Sequence, residues 1–328
     1  MENNPLVSII ILSYNRKEEL RRAIEKISAQ SYRNIEIIVV DNASIDGTQQ
    51  IVKQEFRGVK LIALQKNIGA SALNVGSKIA GGGYIFIQDD DAYVDNDTLT
   101  MLVQKALEHN TDILYPKIFT EDESFCFNQH YNTGLLSFWG CAVFIKRASF
   151  EALGGFDKNI FIWGNELELT IRATENGFAI GYMPEAKAYH TKRMVPGAIN
   201  YEMFVLNISH FFYIANKLFS GSERLRLNFN LALRYLLLSR KNFSLIPKFN
   251  KVWRFIILGN KNRKPVRKEI QKLYIGNFFE FANPLVLKFQ YGGTESFTTE
   301  RNLLYPNQFA FLNREQIANH RSKWKRSQ

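Results

Sequence analysis

The chain has 328 residues, 46% of them hydrophobic and 22% charged, which excludes wholesale disorder and predicts one large or two moderate domains. Its net charge of +11 is uneven: residues 1–200 hold 20 Lys and Arg against 24 Asp and Glu, and residues 201–328 hold 22 against 7. Two cysteines, Cys126 and Cys141, are too few for a disulfide framework and lack zinc-site spacing, which is typical of free thiols in a reducing cytosol.

The N-terminal stretch "MENNPLVSIIILSYNR" has neither the basic region nor the small-residue cleavage site of a signal peptide. No window reaches the roughly 18 uninterrupted apolar residues of a transmembrane helix. We therefore expect a cytoplasmic protein, and the basic second half is compatible with peripheral association at the inner face of the plasma membrane.

The first half alternates between strand and helix patterns. Continuous apolar runs predict strands buried on both faces at 6–12, 35–40, 59–64 and 84–88. Apolar residues at helical spacing over 17–30 and from Leu99 to Leu107 predict helices between and after them. Short connections between such elements indicate a doubly wound α/β layer with a parallel sheet, in which ligands bind beyond the carboxyl ends of the strands.

Further along, the pattern predicts a helix from about Glu166 to Asn176 and a short strand near 179–183. From residue 201 the apolar spacing is helical, and "LALRYLLL" and "VWRFIIL" predict further helices between basic segments. We therefore expect a catalytic α/β domain at 1–200 and a basic, mainly helical region at 201–328.

Three aspartates end the fourth predicted strand, in "YIFIQDDDAY". Asp89 and Asp91 can point to one side of an extended segment, and Asp90 to the other. Carboxylates at the end of a buried strand suit a hard divalent cation, although a solvated acidic turn is the ordinary alternative. His190, in "AYHTKR", ends a later strand, where it could join the acidic cluster or serve as a structural hydrogen-bonding group.

The stretch "WGNELELTIRA" places Glu166 and Glu168 at the start of a helix, where the helix dipole favours carboxylates. They lie about 200° apart around the helix, so at most one faces a given site. One of them could act as a general base, and plain electrostatic stabilisation of the helix end is the alternative.

Seven stretches, taken in order, resemble inverting glycosyltransferases of family 2, which have the GT-A fold and use a nucleoside-diphosphate sugar with Mg²⁺ or Mn²⁺. They are "VSIIILSYNR", "IEIIVVDNASIDGT", "NIGASALNVG", "IFIQDDDA", "GCAVFIKRASFEALGGFD", "WGNELELTIRATENGF" and a closing "YH". The resemblance covers roughly residues 6–195 and implies a doubly wound mixed sheet. The helical region after 200 resembles, more loosely, the C-terminal extensions of bacterial members that build surface polysaccharides.

The resemblance implies a role for each matching position. Metal ligation falls to Asp89, Asp91 and His190, and the general base is Glu166. Contacts to the nucleotide sugar fall to Ser13, Asn15, Asp41, Asn67, Asp89 and Asp90, with Asp41 accepting a hydrogen bond from the nucleotide base.

The chain also departs from the family pattern. The family often has Asp at the base position, so Glu168 remains a second candidate. Leu73 stands where Arg is frequent, and the loop around Asn67 is one residue short, which leaves the contacts to the donor sugar open.

Two tryptophans and a basic pair are further candidates. Trp139 and Trp163 are expected either to stack on an acceptor sugar or simply to pack. Lys192 and Arg193, in the loop "TKRMVPGAIN", are expected either to contact the leaving diphosphate as part of a closing lid or to form an ordinary solvated pair.

The basic second half has no nucleic-acid motif, and its aromatic residues follow helical stripes. An anionic membrane surface is therefore the better partner than nucleic acid, and a helical domain with a basic exterior is the alternative.

Together these features predict an inverting, metal-dependent glycosyltransferase of cell-surface polysaccharide synthesis. It would move a sugar from a UDP or dTDP donor to a hydroxyl of a glycan or lipid-linked acceptor. A nucleotidyltransferase is an alternative, but "LSYNRKEEL" is not the glycine-rich basic loop that such an enzyme uses. A non-catalytic membrane- or nucleic-acid-binding module on a degenerate transferase fold is another. The oligomeric state is left open.

Overall fold

The structure, a computed structural model, describes residues 4–124, 126, 137–191, 201–240, 242–274 and 311–312. These residues form two compact units. The first contains the described residues up to Phe161, then 176–191 and 311–312, and the second contains 162–175 and those from 201 to 274. The two units interleave along the chain, because residues 162–175 group with the helical part. The predicted domains, in contrast, meet at a single point, residue 200.

The first unit is built from nine strands and five α-helices among its described residues. The strands are β1 (Val7–Ser13), β2 (Ile35–Asp41), β3 (Lys60–Ala63), β4 (Tyr84–Asp89), β5 (Ala92–Val94), β6 (Ile113–Thr120), β7 (Ala142–Lys146), β8 (Ile180–His190) and β9 (Phe311–Leu312). The helices are α1 (Lys17–Ser28), α2 (Thr48–Glu55), α3 (Leu73–Ile79), α4 (Thr98–His109) and α5 (Arg147–Ala152), with a 3-10 turn at Gly69–Ala72.

All the strands belong to one mixed sheet in the order β3-β2-β1-β4-β7-β6-β8-β5, with β9 paired to β8. Strands β3, β2, β1 and β4 are parallel, and β7 runs antiparallel to both β4 and β6. The four predicted strands agree with β1 to β4 to within one residue at each end. The mixed sheet that the family resemblance implies is confirmed, since β5 and β7 run antiparallel to their neighbours, whereas the periodicity by itself indicated a parallel sheet.

The centre of the sheet is buried on both faces. Ile9, Ile10 and Ile11 of β1 have no exposed surface, as expected for a continuous β-branched run between two layers of helices. On one face, α1 and α4 pack their apolar stripes against β1, β4 and β8. On the other, α3 lies so close that a Cβ on Gly76 would approach Ile10 to 2.7 Å.

One polar residue lies inside the central strand. Ser8 is fully buried, and its hydroxyl donates to Glu36 of β2 at 2.5 Å and accepts from the backbone of Gly82, just before β4, at 2.9 Å. Glu36 in turn accepts from the backbone of Gly81 at 2.6 Å. Ser8 therefore links the central strand to both of its neighbours by side-chain hydrogen bonds.

The second unit is helical. Its elements are α6 (Asn165–Glu175), α7 (Tyr201–Leu218), α8 (Gly221–Ser239), a 3-10 turn at Phe243–Lys248 and α9 (Phe249–Lys261). Helix α7 is the central element, since it packs against both α8 and α9 and most of its side chains are buried. No helix in the described part of the chain combines the length and apolar character needed to span a bilayer.

A histidine lies at the centre of this helical unit. His210 is fully buried, with Nδ1 3.1 Å from the backbone oxygen of Trp163 and its ring edge-on to Phe255 at 5.2 Å. Burial lowers the pKa of His210 to about 4, because the charged imidazolium loses its hydration there. His210 is therefore neutral at pH 7.

This burial predicts a loss of stability in acid. The unfolded chain binds a proton near pH 6.5 and the native imidazole only near pH 4, so acidification across this interval favours unfolding by up to about 3 kcal/mol. The unfolding free energy of the wild type should fall more steeply between these pH values than that of His210→Gln. The measurement is urea unfolding at several pH values. His109→Gln on the first unit is the control, and equal slopes for wild type and His210→Gln would contradict the prediction.

Candidate active site

The parallel strands end at one edge of the sheet with polar side chains. Register places Ser13 of β1 beside Asp41 of β2, and Leu12 of β1 beside Asp89 of β4. The carboxyl ends of β1, β2 and β4 therefore lie at the same level, which is where ligands bind in sheets of this kind.

Asp89, Asp91 and His190 form a cluster at this edge. A carboxylate oxygen of each aspartate and a ring nitrogen of His190 all lie within 4.8 Å of one another. The distance between His190 Nε2 and Asp91 Oδ1 is 3.4 Å, and this buried oxygen accepts no hydrogen bond from the residues that the structure describes. Two carboxylates and one imidazole, with a buried carboxylate oxygen facing the imidazole, form a donor set that fits Mg²⁺ or Mn²⁺.

Strand pairing explains how His190 reaches the acidic loop 99 residues away in the chain. Strand β8 pairs antiparallel with β5, which places His190 opposite Ala92. The next residue, Thr191, donates to the backbone oxygen of Asp91 from its own backbone at 2.9 Å and from its hydroxyl at 3.1 Å. The sequence prediction that His190 joins the aspartates is thus matched by the geometry, whereas metal binding itself remains a prediction.

Arg16, which the sequence analysis did not single out, neutralises part of this cluster. Its guanidinium lies 3.0 Å from Asp90 and 2.5 Å from Asp91. Asp90 lies outside the three-residue cluster and also accepts from the backbone of Tyr14 at 3.3 Å. Burial raises the pKa of Asp90 to about 6, and the charge of Arg16 acts in the opposite direction. No local sequence signal marks Arg16, since its partners lie more than 70 residues away.

Arg16 is expected to compete with a divalent cation for the aspartates. In Arg16→Gln, the buried carboxylates repel one another without a countercharge, so the metal-free protein should melt at a lower temperature. Since Arg16 is 42% exposed, we expect a loss of only about 1–2 kcal/mol. The rise in melting temperature with Mn²⁺ should then exceed that of the wild type. Arg21→Gln, which removes the exposed pair with Glu55, is the control. Equal Mn²⁺ shifts in all three proteins would contradict the competition.

Two loops at the strand ends are joined by hydrogen bonds. Asn15, with φ of +52°, donates its backbone N–H to the Ser44 hydroxyl at 2.9 Å and accepts from the backbone of Ile45 at 2.8 Å. Asn tolerates this left-handed conformation better than most residues. The predicted nucleotide-contacting residue Asn15 therefore also fixes the loop after β2.

Asp41 is fully buried and already hydrogen-bonded within the chain. It accepts from the backbone of Ser44 at 3.1 Å and from the side chain of Gln49 at 2.7 Å. In this structure its carboxylate stabilises the turn that follows β2. The predicted hydrogen bond from Asp41 to a nucleotide base stays a prediction.

The loop that contains Asn67 is held at both ends. The Asn67 side chain accepts from the backbone of Gly69 at 2.9 Å, and Asn42 accepts from the backbone of Ile68 at 2.9 Å. Gly69 has φ of +64°, and a Cβ there would lie 2.0 Å from the backbone oxygen of Phe161. Only glycine fits this position, so the loop has a defined shape beside the end of β2.

A cavity of about 230 Å³ lies between α1 and the acidic loop. Its lining consists of Glu19, Arg22, Ala23, Asp90, Asp91, Ala92, Tyr93 and Thr191. Ligand pockets commonly measure about 300–1,000 Å³. This cavity is therefore of a size for part of a ligand beside the aspartates.

The two candidate bases belong to the second unit and differ in their surroundings. Glu168 is fully buried, and its carboxylate lies 2.7 Å from Arg172 and 2.6 Å from Lys217. Glu166, in the first turn of α6, is half-buried. The structure thus gives Glu168 a buried ion-pair role, and the choice of Glu166 as the base stays a prediction.

The remaining predicted residues are placed as follows. Trp139 is half-buried and packs against the hydrophobic core of the first unit, as the packing alternative predicts. Trp163 lies in the second unit, half-buried, with φ of +58° in the turn before α6. Lys192 and Arg193 lie outside the described residues.

Comparison with known proteins places this site in a family. The family model described as glycosyl transferase family 2 matches residues 8–157, which include Asp89 and Asp91. Residues 8–157 are a family 2 glycosyltransferase domain. A further family model, described as N-terminal domain of galactosyltransferase, matches residues 123–194 of the same chain.

Two curated relatives and one solved structure show how far the likeness extends. The glycosyltransferase GlyG of Streptococcus pneumoniae is 34% identical over 36% of this chain and 41% of its own length. The UDP-Glc:alpha-D-GlcNAc-diphosphoundecaprenol beta-1,3-glucosyltransferase WfaP of Escherichia coli is 40% identical over 27% of this chain and 36% of its own. The matched stretches thus span less than half of either relative.

The solved structure is the mannosyltransferase PcManGT from Pyrobaculum calidifontis in complex with GDP-Man and Mn²⁺. It is 22% identical, with a TM-score of 0.53 over 65% of this chain and 63% of its own. At this identity the likeness concerns the fold alone, and it confirms the predicted GT-A fold.

Proposed function

We propose that this protein is an inverting, metal-dependent glycosyltransferase that moves a sugar from a nucleoside-diphosphate donor to a hydroxyl of a glycan or lipid-linked acceptor. The observation that carries the proposal is the convergence of Asp89, Asp91 and His190 at the carboxyl edge of the sheet in a family 2 domain. The name of WfaP, which includes a UDP-sugar and a diphosphoundecaprenol acceptor, supports cell-surface polysaccharide synthesis as the setting.

The proposed roles of the site residues are as follows. Asp89, Asp91 and His190 would hold a divalent cation, and Ser13, Asn15, Asp41, Asn67 and Asp90 would line the nucleotide side. A bound Mg²⁺ or Mn²⁺ would stabilise the negative charge that develops on the diphosphate leaving group. The site therefore needs no protein acid to protonate the leaving group.

Glu166 is proposed as the general base. Its carboxylate would take the proton from the acceptor hydroxyl as that oxygen attacks the anomeric carbon from the side opposite the diphosphate. The C–O bond to the diphosphate breaks as the new glycosidic bond forms, so the configuration inverts in a single step. The confinement of Glu168 by Arg172 and Lys217 supports this choice.

The donor is proposed to be a UDP- or dTDP-sugar. A thermal-shift screen of UDP-, dTDP- and GDP-sugars, each with Mn²⁺ and with a chelator, tests both donor class and metal dependence, because a ligand that binds only the native state raises its stability. A donor at 100 times its dissociation constant should contribute about 2.7 kcal/mol. If none of these donors shifts the melting temperature with Mn²⁺, the proposal fails. NMR of the product from an accepted donor then reports inversion or retention.

A further inference from the structure

The second unit exposes an unusual amount of apolar surface. Helix α8 presents Leu225, Phe229 and Leu236 to solvent, with Phe229 67% exposed. Residues four and eleven apart return to one side of a helix, so these three lie within about 40° of one another around the axis. Helix α8 therefore has an apolar stripe on its outer side in addition to the one that it buries against α7.

The 3-10 turn and α9 continue this pattern. Phe243 and Ile246 in the turn are exposed, and α9 exposes Phe249, Trp253 and Ile257 at every fourth position, with Trp253 54% exposed. Side chains at this spacing share one face of a helix. Single exposed apolar residues are ordinary, but runs of them on three consecutive elements mark an interaction surface.

Helices α8 and α9 both pack against α7, and side chains near their ends link them in an antiparallel sense. Arg224, near the start of α8, donates to Asn260, near the end of α9, at 2.8 Å. Tyr235, near the end of α8, packs on Phe249 at the start of α9 with ring centroids 5.3 Å apart. Asn216 of α7 bonds to Asn228 of α8 and to Asn260 of α9. The two helices thus flank α7 and are linked by side chains near their ends, and we call the exposed apolar residues of α8, the 3-10 turn and α9 together the α8–α9 surface.

The charge around this surface identifies the partner. Residues 221–274 contain 14 Lys and Arg but only 2 Asp and Glu. Exposed cations flank the stripes, among them Arg226 on α8 and Lys251 and Arg254 on α9. A second copy of the chain would bring the same positive charge to the contact and be repelled. A nucleic acid would meet the cations but leave the aliphatic and aromatic stripes without a partner.

We propose that the α8–α9 surface docks on an anionic lipid bilayer, with its apolar side chains in the headgroup region and its cations on lipid phosphates. Aromatic side chains such as Trp253 favour this interface, and each basic residue near an anionic membrane adds electrostatic attraction. The inference deepens the proposed function, since a lipid-linked acceptor lies in such a bilayer, but docking itself requires no catalysis.

Vesicle co-sedimentation of the full chain tests the proposal. We expect binding to vesicles of phosphatidylglycerol and phosphatidylcholine in equal parts and little binding to pure phosphatidylcholine. The double variant Phe229→Ser with Trp253→Ser should bind the anionic vesicles at least about tenfold more weakly, because two aromatic anchors are lost. Arg226→Gln with Arg254→Gln should weaken binding and reduce its salt dependence. Ile45→Ser, at a 92% exposed apolar site of the first unit, is the matched control and should bind normally.

Several outcomes would overturn the docking surface. The first is that the chain binds neutral vesicles as strongly as anionic ones. The second is that the double aromatic variant binds anionic vesicles as strongly as the wild type. The third is that the chain dimerises with increasing concentration and does not bind vesicles. The melting temperature of each variant is measured to establish that it is folded. It should be close to that of the wild type, because the replaced side chains are exposed. Donor-induced thermal shifts should be unchanged in the double aromatic variant. If the chain binds anionic vesicles but no nucleotide-sugar donor raises its melting temperature, the docking surface is supported and the proposed function is not.

Discussion

Asp91→Asn is expected to abolish sugar transfer while leaving the protein folded. The substitution turns the carboxylate that faces His190 into a neutral amide, so the cluster keeps only one carboxylate. Since the cation is proposed to supply several kcal/mol of transition-state stabilisation, turnover should fall by about a thousandfold or more. Arg16 keeps its pair with Asp90, so the melting temperature without metal should change by only a few degrees.

The measurement pairs turnover with the Mn²⁺-induced rise in melting temperature, which should disappear in Asp91→Asn. Asp97→Asn is the matched control, because Asp97 is exposed at the start of α4 and belongs to no cluster in the described part of the first unit. An Asp91→Asn protein that transfers sugar at a normal rate in the presence of a chelator would refute the metal assignment.

Glu166→Gln is expected to lose activity but keep its stability, and Glu168→Gln is expected to lose stability. Glu168→Gln leaves Arg172 and Lys217 without their carboxylate, and both are largely buried. Breaking a buried pair on one side costs about 3–5 kcal/mol, so this variant should unfold far more readily. Glu166→Gln should keep its melting temperature and its donor binding but lose turnover by about 10²–10⁴-fold, as expected when a general base is removed.

Urea unfolding, donor thermal shift and initial rates on the same preparations separate the two effects. Lys217→Met with Glu168→Gln offers a further check, because it removes one of the two cations left without a carboxylate and should restore part of the lost stability. If Glu168→Gln is as stable as the wild type and inactive while Glu166→Gln turns over normally, the base has been assigned to the wrong glutamate.

The fold was predictable where the sequence signal is local. Strands β1 to β4 are long apolar runs, and their ends are found to within one residue. Strands β5, β6 and β7 were not predicted, because β5 has three residues, β6 contains Pro116, and β7 is a short run that leads directly into a helix. Their antiparallel pairings depend on contacts between distant segments and leave no periodic signal.

In the candidate active site, too, features with a local sequence signal were predictable and contacts between distant residues were not. The grouping of Asp89, Asp91 and His190 followed from strand ends and from the family resemblance. The pairing of Arg16 with Asp90, the internal hydrogen bonds of Asp41 and the ion pairs of Glu168 could not be predicted, since each depends on which side chains the fold brings together. Likewise, helical spacing predicted α8 and α9 but did not show that both of their sides are apolar.

The buried hydroxyl of Ser8 has a consequence for the cluster at the far end of the sheet. The run Val7-Ser8-Ile9-Ile10-Ile11-Leu12 offers almost the same apolar bulk to both faces, so burial alone barely distinguishes one alignment of β1 from the next. Ser8 breaks that degeneracy through its bonds to Glu36 and Gly82. A shift of β1 by one residue would move its carboxyl end by about 3.3 Å, and with it Arg16, which pairs with Asp90 and Asp91. A single hydroxyl near the amino end of β1 thus helps to set the alignment that brings Arg16 to the aspartates after β4.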